Sequence, residues 1–361
     1  MSGSELSDTQ SPPHQSKLRG ILSGILSPVL AILTAFLVSG IILLLAGFDP
    51  INAFVTLIEG SFGDLRVISE VLLQATPLIL IGVGLAVAFR SNIWNIGAEG
   101  QFYAGAVLAA VVGIYFGDLP AVLLVPLLLL MGFIGGALWG MLAGYFKVRF
   151  GASEIVTTIM LNYIAIIMTG YLVTGPMIEE AGKFPQSAQV SEAARLFRFL
   201  LPTRLHIGFL LAIAVAILVY ILLFRTSTGY AIRAVGHNPE AARYAGIDVK
   251  RNIMLVMAIS GGTAGLAGAV QVAGLTFRLY QQISPGYGFT GIAVALLANN
   301  NPIGVIFSGL LFGALRSGSE VMQISAKIPS VMAFAIQGLV ILSVVTFGVY
   351  QMKWARRGRR V

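Results

Sequence analysis

Residues Pro120 to Tyr145 read PAVLLVPLLLLMGFIGGALWGMLAGY, without a single charged side chain. A helix needs about 20 predominantly apolar residues to cross about 30 Å of hydrocarbon, and this stretch exceeds that. Outward from it, further apolar runs recur at roughly 21–47, 67–89, 94–117, 154–174, 207–224, 251–274, 286–298, 302–317 and 330–350. That makes about ten segments, of which 286–298 and 302–317 are short enough to be broken or re-entrant. Hydrophobic residues make up 57% of the 361-residue chain and charged residues 11%, with a mean hydropathy of +0.88. A soluble domain is about 25% charged, so this chain lacks the polar surface to cover itself in water. The expected fold class is all-α, a polytopic protein embedded in a lipid bilayer.

The net charge is +8 and the isoelectric point about 9.8, but the basic residues sit in short segments between apolar runs. That placement encodes membrane topology and argues against a nucleic-acid partner. Ten crossings put both termini on one side. With that side cytoplasmic, 15 of the 23 Lys and Arg residues fall inside and 8 outside. Residues 1–20 are expected to form a disordered cytoplasmic tail, 21–350 the transmembrane domain, and 351–361 a basic cytoplasmic tail. Within the domain, 175–206 is expected to be a folded external loop and 225–250 a cytoplasmic loop. The run Ile21–Phe48 is too long for the core of a signal peptide, so an uncleaved first helix is expected. The absence of cysteine excludes disulfides, thiol catalysis and cysteine metal sites. His14, His206 and His237 fall in separate regions, so no metal site is expected, and no nucleophile–histidine–acid set is recognisable.

Glycine occurs 42 times, and part of it is patterned. Gly132, Gly136, Gly140 and Gly144 recur at every fourth residue, and Gly261/Gly265 and Gly309/Gly313 repeat the spacing. In lipid, such small-residue faces let helix backbones approach closely. They serve either packing within the subunit or sliding during conformational change. A possible internal repeat also shows. Ala86–Gly97 (AVAFRSNIWNIG) and Ala293–Gly304 (AVALLANNNPIG) are identical at six of twelve positions, offset by 207. Many transporters are built from structural repeats with the site near the repeat interface.

The cytoplasmic loop 225–250, RTSTGYAIRAVGHNPEAARYAGIDVK, is the one substantial polar insert on the inside. Asn238 suits an N-cap, Pro239 the first helical position and Glu240 the positive helix end. The helix should end near Gly246, a plausible C-cap. About two turns are marginal alone in water, so this helix should dock on something. An ordinary connecting helix on the membrane surface is the alternative.

Glu240-Ala241-Ala242, three residues and Gly246 resemble the EAA-x3-G signature of ABC importer permeases. The Ile-x-Leu-Pro element of the maltose-type branch is absent, since 254–260 read MLVMAIS. Asn95-Ile96-Gly97-Ala98-Glu99-Gly100-Gln101 resembles the NIGxEGQ motif of nucleoside-type permeases. Gly236–Ile247 resembles their cytoplasmic loop, and Ala152–Tyr163 (ASEIVTTIMLNY) is a third stretch like theirs. The resemblance spans roughly residues 65 to 350. It implies a permease of the simple sugar/nucleoside importer family in a bacterial cytoplasmic membrane, with no catalytic residues. It implies that Asn238, Pro239, Glu240, Ala241, Ala242 and Gly246 couple the chain to a cytoplasmic ABC ATPase. ATP and Mg would sit on that ATPase and no cofactor on this chain. A second, different permease and an extracytoplasmic solute-binding protein would complete the assembly.

Asn95, Glu99, Gln101, Asn162 and Tyr163 are candidates for the translocation pathway. By position alone, capping a helix that starts at Trp94 or Asn95 at the cytoplasmic interface is the first reading of Glu99, ahead of solute passage or gating and of proton coupling. Asn162 and Tyr163 equally suit hydrogen bonds between helices. An ion-coupled secondary transporter is the alternative function, and it would need ion ligands near the midplane. Apart from Glu99, acids are nearly absent from the segment interiors. A lipid-modifying membrane enzyme would need an interfacial catalytic cluster that is not visible. No GxxxxGK[ST] motif occurs, so ATP is not bound by this chain in that way.

Overall fold

The computed structural model describes residues 33–179 and 184–329, together with 331, 332, 334–336, 338, 339, 342, 343 and 346. The expected tails 1–20 and 351–361 lie outside them, as do the start of the expected first crossing and much of 330–350. The described helices are α1 (Leu33–Leu45), α2 (Pro50–Phe62), α3 (Leu65–Arg90), α4 (Ala98–Tyr115), α5 (Ala121–Phe150), α6 (Glu154–Thr174), α7 (Gly208–Arg225), α8 (Ser227–His237), α9 (Pro239–Tyr244), α10 (Val249–Gln271), α11 (Tyr287–Leu297) and α12 (Pro302–Ser325). Seven of them, α3 to α7, α10 with its continuation to Thr276, and α12, are long and apolar enough to cross a bilayer. Among the described residues no strand forms; isolated β-bridges at 178–187 and 198–206 tie the loop 175–206 to itself, and one at 186–280 ties it to the segment before α11.

The chain divides into two compact units. In the one formed by Met1–Ala53 and Ile328–Val361, Ser39, Ile42 and Leu43 of α1 enclose a small space with Met332, Ala335, Ile336 and Leu339. The other, Phe54–Lys327, holds the rest of the architecture.

Its core is α3, α4, α5 and α10, with α3 buried along most of its length. The glycine face of α5 meets α10 directly. A methyl group on Gly136 would overlap the Gly261 carbonyl oxygen, and one on Gly132 would overlap Ala269. Gly140 lies against the Met257 carbonyl, and Gly144 against Met254 and Met257. Gly261 and Gly265 of α10 are the reciprocal half of the contact, set against Gly136 and Gly132. The spacing of four therefore packs two helices of one subunit backbone to backbone. Gly309 and Gly313 seat α12 on Ile79, Val71 and Ala75 of α3 in the same manner.

Two expected boundaries move. The segment expected from 94 becomes helical only at Ala98, because residues 91–97 leave the helix: the Asn95 side chain accepts the Gly97 N–H at 3.0 Å, a local bond that competes with helix formation. The segment expected to end at 317 runs to Ser325, carrying Arg316 and Glu320 on the helix itself. The connecting helices α2 and α8 were not expected as separate elements.

The internal repeat is visible in the backbone. The Ser91 N–H bonds the Val87 carbonyl at 3.3 Å, and Ala298, 207 positions on, bonds Val294 at 3.3 Å. Asn92 to Phe89 (3.1 Å) matches Asn299 to Leu296 (3.0 Å), and Ile93 to Ala88 (3.0 Å) matches Asn300 to Ala295 (2.9 Å). Asn92 and Asn299 both occupy the left-handed region, with φ of 56° and 50°. Asparagine tolerates that conformation better than most residues, which explains its place in both turns. The halves differ upstream. α3 is continuous, whereas its counterpart is a π-helical turn (Val272–Thr276), a non-helical stretch that opens with left-handed Phe277, and the short α11.

Candidate functional site

The loop 225–250 folds as two helices. Thr226 caps α8, its hydroxyl accepting the Gly229 N–H at 3.1 Å, and Gly229, Ile232 and Val235 bury one face of that helix. α9 follows at once. The Asn238 carbonyl oxygen of the side chain accepts the N–H groups of Glu240 (3.0 Å) and Ala241 (3.1 Å), with Pro239 in the first turn. At the other end Gly246 has φ of 81°. The Ile247 N–H reaches back to the Ala242 carbonyl at 3.0 Å, closing the C-terminal turn. Only Ala242 of this short helix is buried, and Tyr244 is 93% exposed. Six residues hold a helical shape here because both ends are capped, and they present almost their whole surface outward.

The loop is tied to both repeat turns. Gly236 touches the Arg90 carbonyl so closely that a methyl group there would overlap it. Arg90 Nε donates to the Asn300 carbonyl at 2.7 Å. The guanidinium groups of Arg90 and Arg233 lie over the Phe224 ring at 4.8 and 5.4 Å. At the start of α10, Asn252 Nδ2 donates to Ser91 Oγ at 3.1 Å. α8 and the start of α10 are thus in direct contact with the ends of α3 and α11.

From Ser91 the chain climbs back along α10. Asn95 Nδ2 donates to Ser260 Oγ at 2.9 Å. Ser260 lies eight residues beyond Asn252, about 12 Å along the helix. Asn95 and Gln101 also exchange two side-chain hydrogen bonds of 2.9 and 3.0 Å. Asn162 on α6 accepts the Gly100 N–H (2.7 Å) and donates to the Ile96 carbonyl (2.9 Å). Asn95, Glu99, Gln101 and Asn162 are all buried; Asn95 and Asn162 satisfy backbone groups of the non-helical stretch 91–97, which an apolar surround would leave unpaired, and Gln101 holds the Asn95 side chain. Glu99 does not cap a helix beginning at Trp94 or Asn95. Its Oε2 accepts the Gly288 N–H at 2.6 Å, at the start of α11. Two helix N-termini, of α4 and α11, therefore converge on one carboxylate, an arrangement favoured by their dipoles. Tyr163 is 59% exposed on another face of α6 and does not join this group. Sequence reasoning missed Ser260, and it missed Gln74, Arg316 and Glu320, which form a separate polar cluster on α3 and α12. The four-residue spacing of Arg316 and Glu320 was the available signal. Among the described residues, no group of three His, Cys, Asp or Glu is placed to hold a metal ion.

Residues 67–345 match the family described as the branched-chain amino acid transport system permease component. The chain belongs to this permease family. The permease is 36% identical over 329 residues to a guanosine ABC transporter permease of Bacillus subtilis (90% of this chain, 94% of the relative). It is 35% identical over 331 residues to a glucose ABC transporter permease of Haloferax volcanii (88% and 86%). A nucleoside ABC transporter permease of Lactococcus lactis is 33% identical over 327 residues (88% and 90%). No solved structure matches the permease. The permease is thus a multi-pass transport component of the ABC kind, and the ion-coupled alternative is set aside.

Proposed function

We propose that the permease imports a nucleoside, or failing that a simple sugar, using ATP hydrolysed by a cytoplasmic ABC ATPase that seats α9. The observation that carries this is the capped, outward-facing α9 joined through Gly236 and Arg90 to both repeat turns. Such an element is too short to stand alone and suits insertion into a cleft on a partner. ATP and Mg belong to that partner. Likeness to guanosine and nucleoside permeases supports the solute class, and the glucose relative supports the sugar. A solute-binding protein delivers the solute on the outer side. A second, different permease chain completes the pathway and supplies the second ATPase seat. The excess of Lys and Arg in the segments assigned to the cytoplasm supports a cytoplasmic-membrane location with both termini inside.

Membrane vesicles holding the full assembly test this. Uptake should require ATP and the ATPase and should ignore a proton uncoupler. Glu240→Lys and Gly246→Asp should each lower ATPase binding and uptake at least tenfold while the permease still inserts. Uptake by this chain alone on a proton gradient, or ATPase binding that survives both substitutions, refutes the assignment.

A further inference from the structure

Gln74, Arg316, Glu320 and Tyr287 meet away from the coupling loop. Arg316 stands about 21 Å along α12 from Pro302, and Gln74 about 24 Å back along α3 from Arg90. The Tyr287 hydroxyl donates to Gln74 Oε1 at 2.7 Å. That fixes the amide so that Gln74 Nε2 points to Glu320 Oε1, 3.3 Å away. The Arg316 guanidinium lies 4.9 Å from the centre of the Tyr287 ring. Its Nε is 3.9 Å from Glu320 Oε1, beyond hydrogen-bond reach. That Nε is buried without a hydrogen-bond partner. The Arg316 side chain is 15% exposed, whereas that of Glu320 is 55% exposed. Nearby, Arg204 of the external loop forms a two-pronged pair with Glu70 of α3 at 3.0 and 2.8 Å.

A half-exposed carboxylate and a buried, incompletely bonded guanidinium on a spanning helix are costly against lipid, so this face meets water, solute or protein. A buried donor left open calls for an acceptor from outside the chain. Arg316 and Arg204 face three carboxylates, Glu320, Glu70 and Glu99, the last interacting with Arg316 from the start of α4, which disfavours an anionic ligand. What remains on offer is a carboxylate acceptor flanked by amide and guanidinium donors. A hydroxyl group both donates and accepts, and two adjacent hydroxyls would engage both kinds of group at once.

We propose that Gln74, Arg316 and Glu320 are a contact site for the adjacent hydroxyls of a neutral solute, the sugar ring of a nucleoside or a simple sugar, in the outer half of the pathway. Tyr287 is the positioning residue, holding Gln74 and Arg316 together. Because Tyr287 opens α11, whose N-terminus is bound by Glu99, occupancy of the site is mechanically linked to the broken half of the repeat. The inference deepens the import reading above and rests on it.

The test uses vesicles with the complete assembly and saturated binding protein. It measures solute moved per ATP hydrolysed, which separates passage from delivery. The probes are guanosine against 2′,3′-dideoxyguanosine, and glucose against 2,3-dideoxyglucose. Glu320→Gln and Gln74→Leu should each lower guanosine or glucose moved per ATP at least fivefold, leave the dideoxy compounds little changed, and keep the ATPase rate within twofold. An unchanged ratio in both variants would overturn the site. So would joint loss of ATPase stimulation and transport, which would assign the cluster to pairing of permease chains. Wild-type vesicles that move neither guanosine nor glucose would instead overturn the solute class, and the site with it.

Discussion

His206 shows how one side chain joins the loop 175–206 to the membrane domain. Its Nδ1 accepts the Gly208 N–H at 3.1 Å, capping α7, and its ring fills the space beside Gly274. Burial, and secondarily Arg198, pushes its pKa down from 6.5 to about 4. The ring is therefore neutral at neutral pH, as an acceptor at Nδ1 requires. An unfolded chain takes up this proton near pH 6.5, whereas the folded one resists it until about pH 4. The stability contributed by the neutral ring is thus fully present above 6.5 and lost as pH falls from 6.5 towards 4. One pKa unit corresponds to 1.36 kcal/mol, so the loss is on the order of 3 kcal/mol. Thermal unfolding in detergent between pH 7.5 and 4.5 should show this acid sensitivity in the wild type. His206→Gln, which cannot take up the proton, should be less stable at pH 7.5 and distinctly flatter across the range. An equally steep acid loss in that variant would dismiss His206 as the source.

At the scale of elements, close helix contact replaces large side chains. Overpacking a tight interface costs about 1–3 kcal/mol. Gly136→Ala should therefore lower the unfolding midpoint measurably, because Gly136 meets the α10 backbone. Gly338→Ala meets open space and should leave the midpoint unchanged. Equal midpoints for the two variants would mean that the α5–α10 contact yields freely. Which elements could be read in advance follows from what signals them. α5 was legible because an uninterrupted apolar run has one interpretation in lipid. α9 was legible because Asn238, Pro239 and Gly246 each encode a cap. The start of α4 was not, because residues 94–97 are apolar enough to pass for helix, while the bonds that hold them out of it reach Ser260, Gln101 and Asn162 elsewhere in the chain. The end of α12 was hidden because charges at 316 and 320 normally close a membrane segment, yet here they meet Gln74 and Tyr287. Glu99 was recognised as exceptional, but its partner at Gly288 lies 189 residues away and no local pattern points to it.

For the whole molecule, topology fixes which surfaces meet which partners. The chain contains no cysteine, so single cysteines placed on it report without background. Tyr244→Cys lies on α9 and Phe184→Cys in the loop 175–206, and both positions are well exposed. In intact cells a membrane-impermeant maleimide should label position 184 and spare position 244; after permeabilisation it should label both. Labelling of 244 in sealed cells would invert the orientation and remove α9 from the reach of a cytoplasmic ATPase. The two repeat turns share a backbone but not what precedes them, since one follows an unbroken α3 and the other a π turn, an irregular stretch and α11. The contact from Gly236 of α8 to Arg90 and on to Asn300 joins the ends of both; were that contact displaced, only the second half holds non-helical backbone upstream whose torsions could turn.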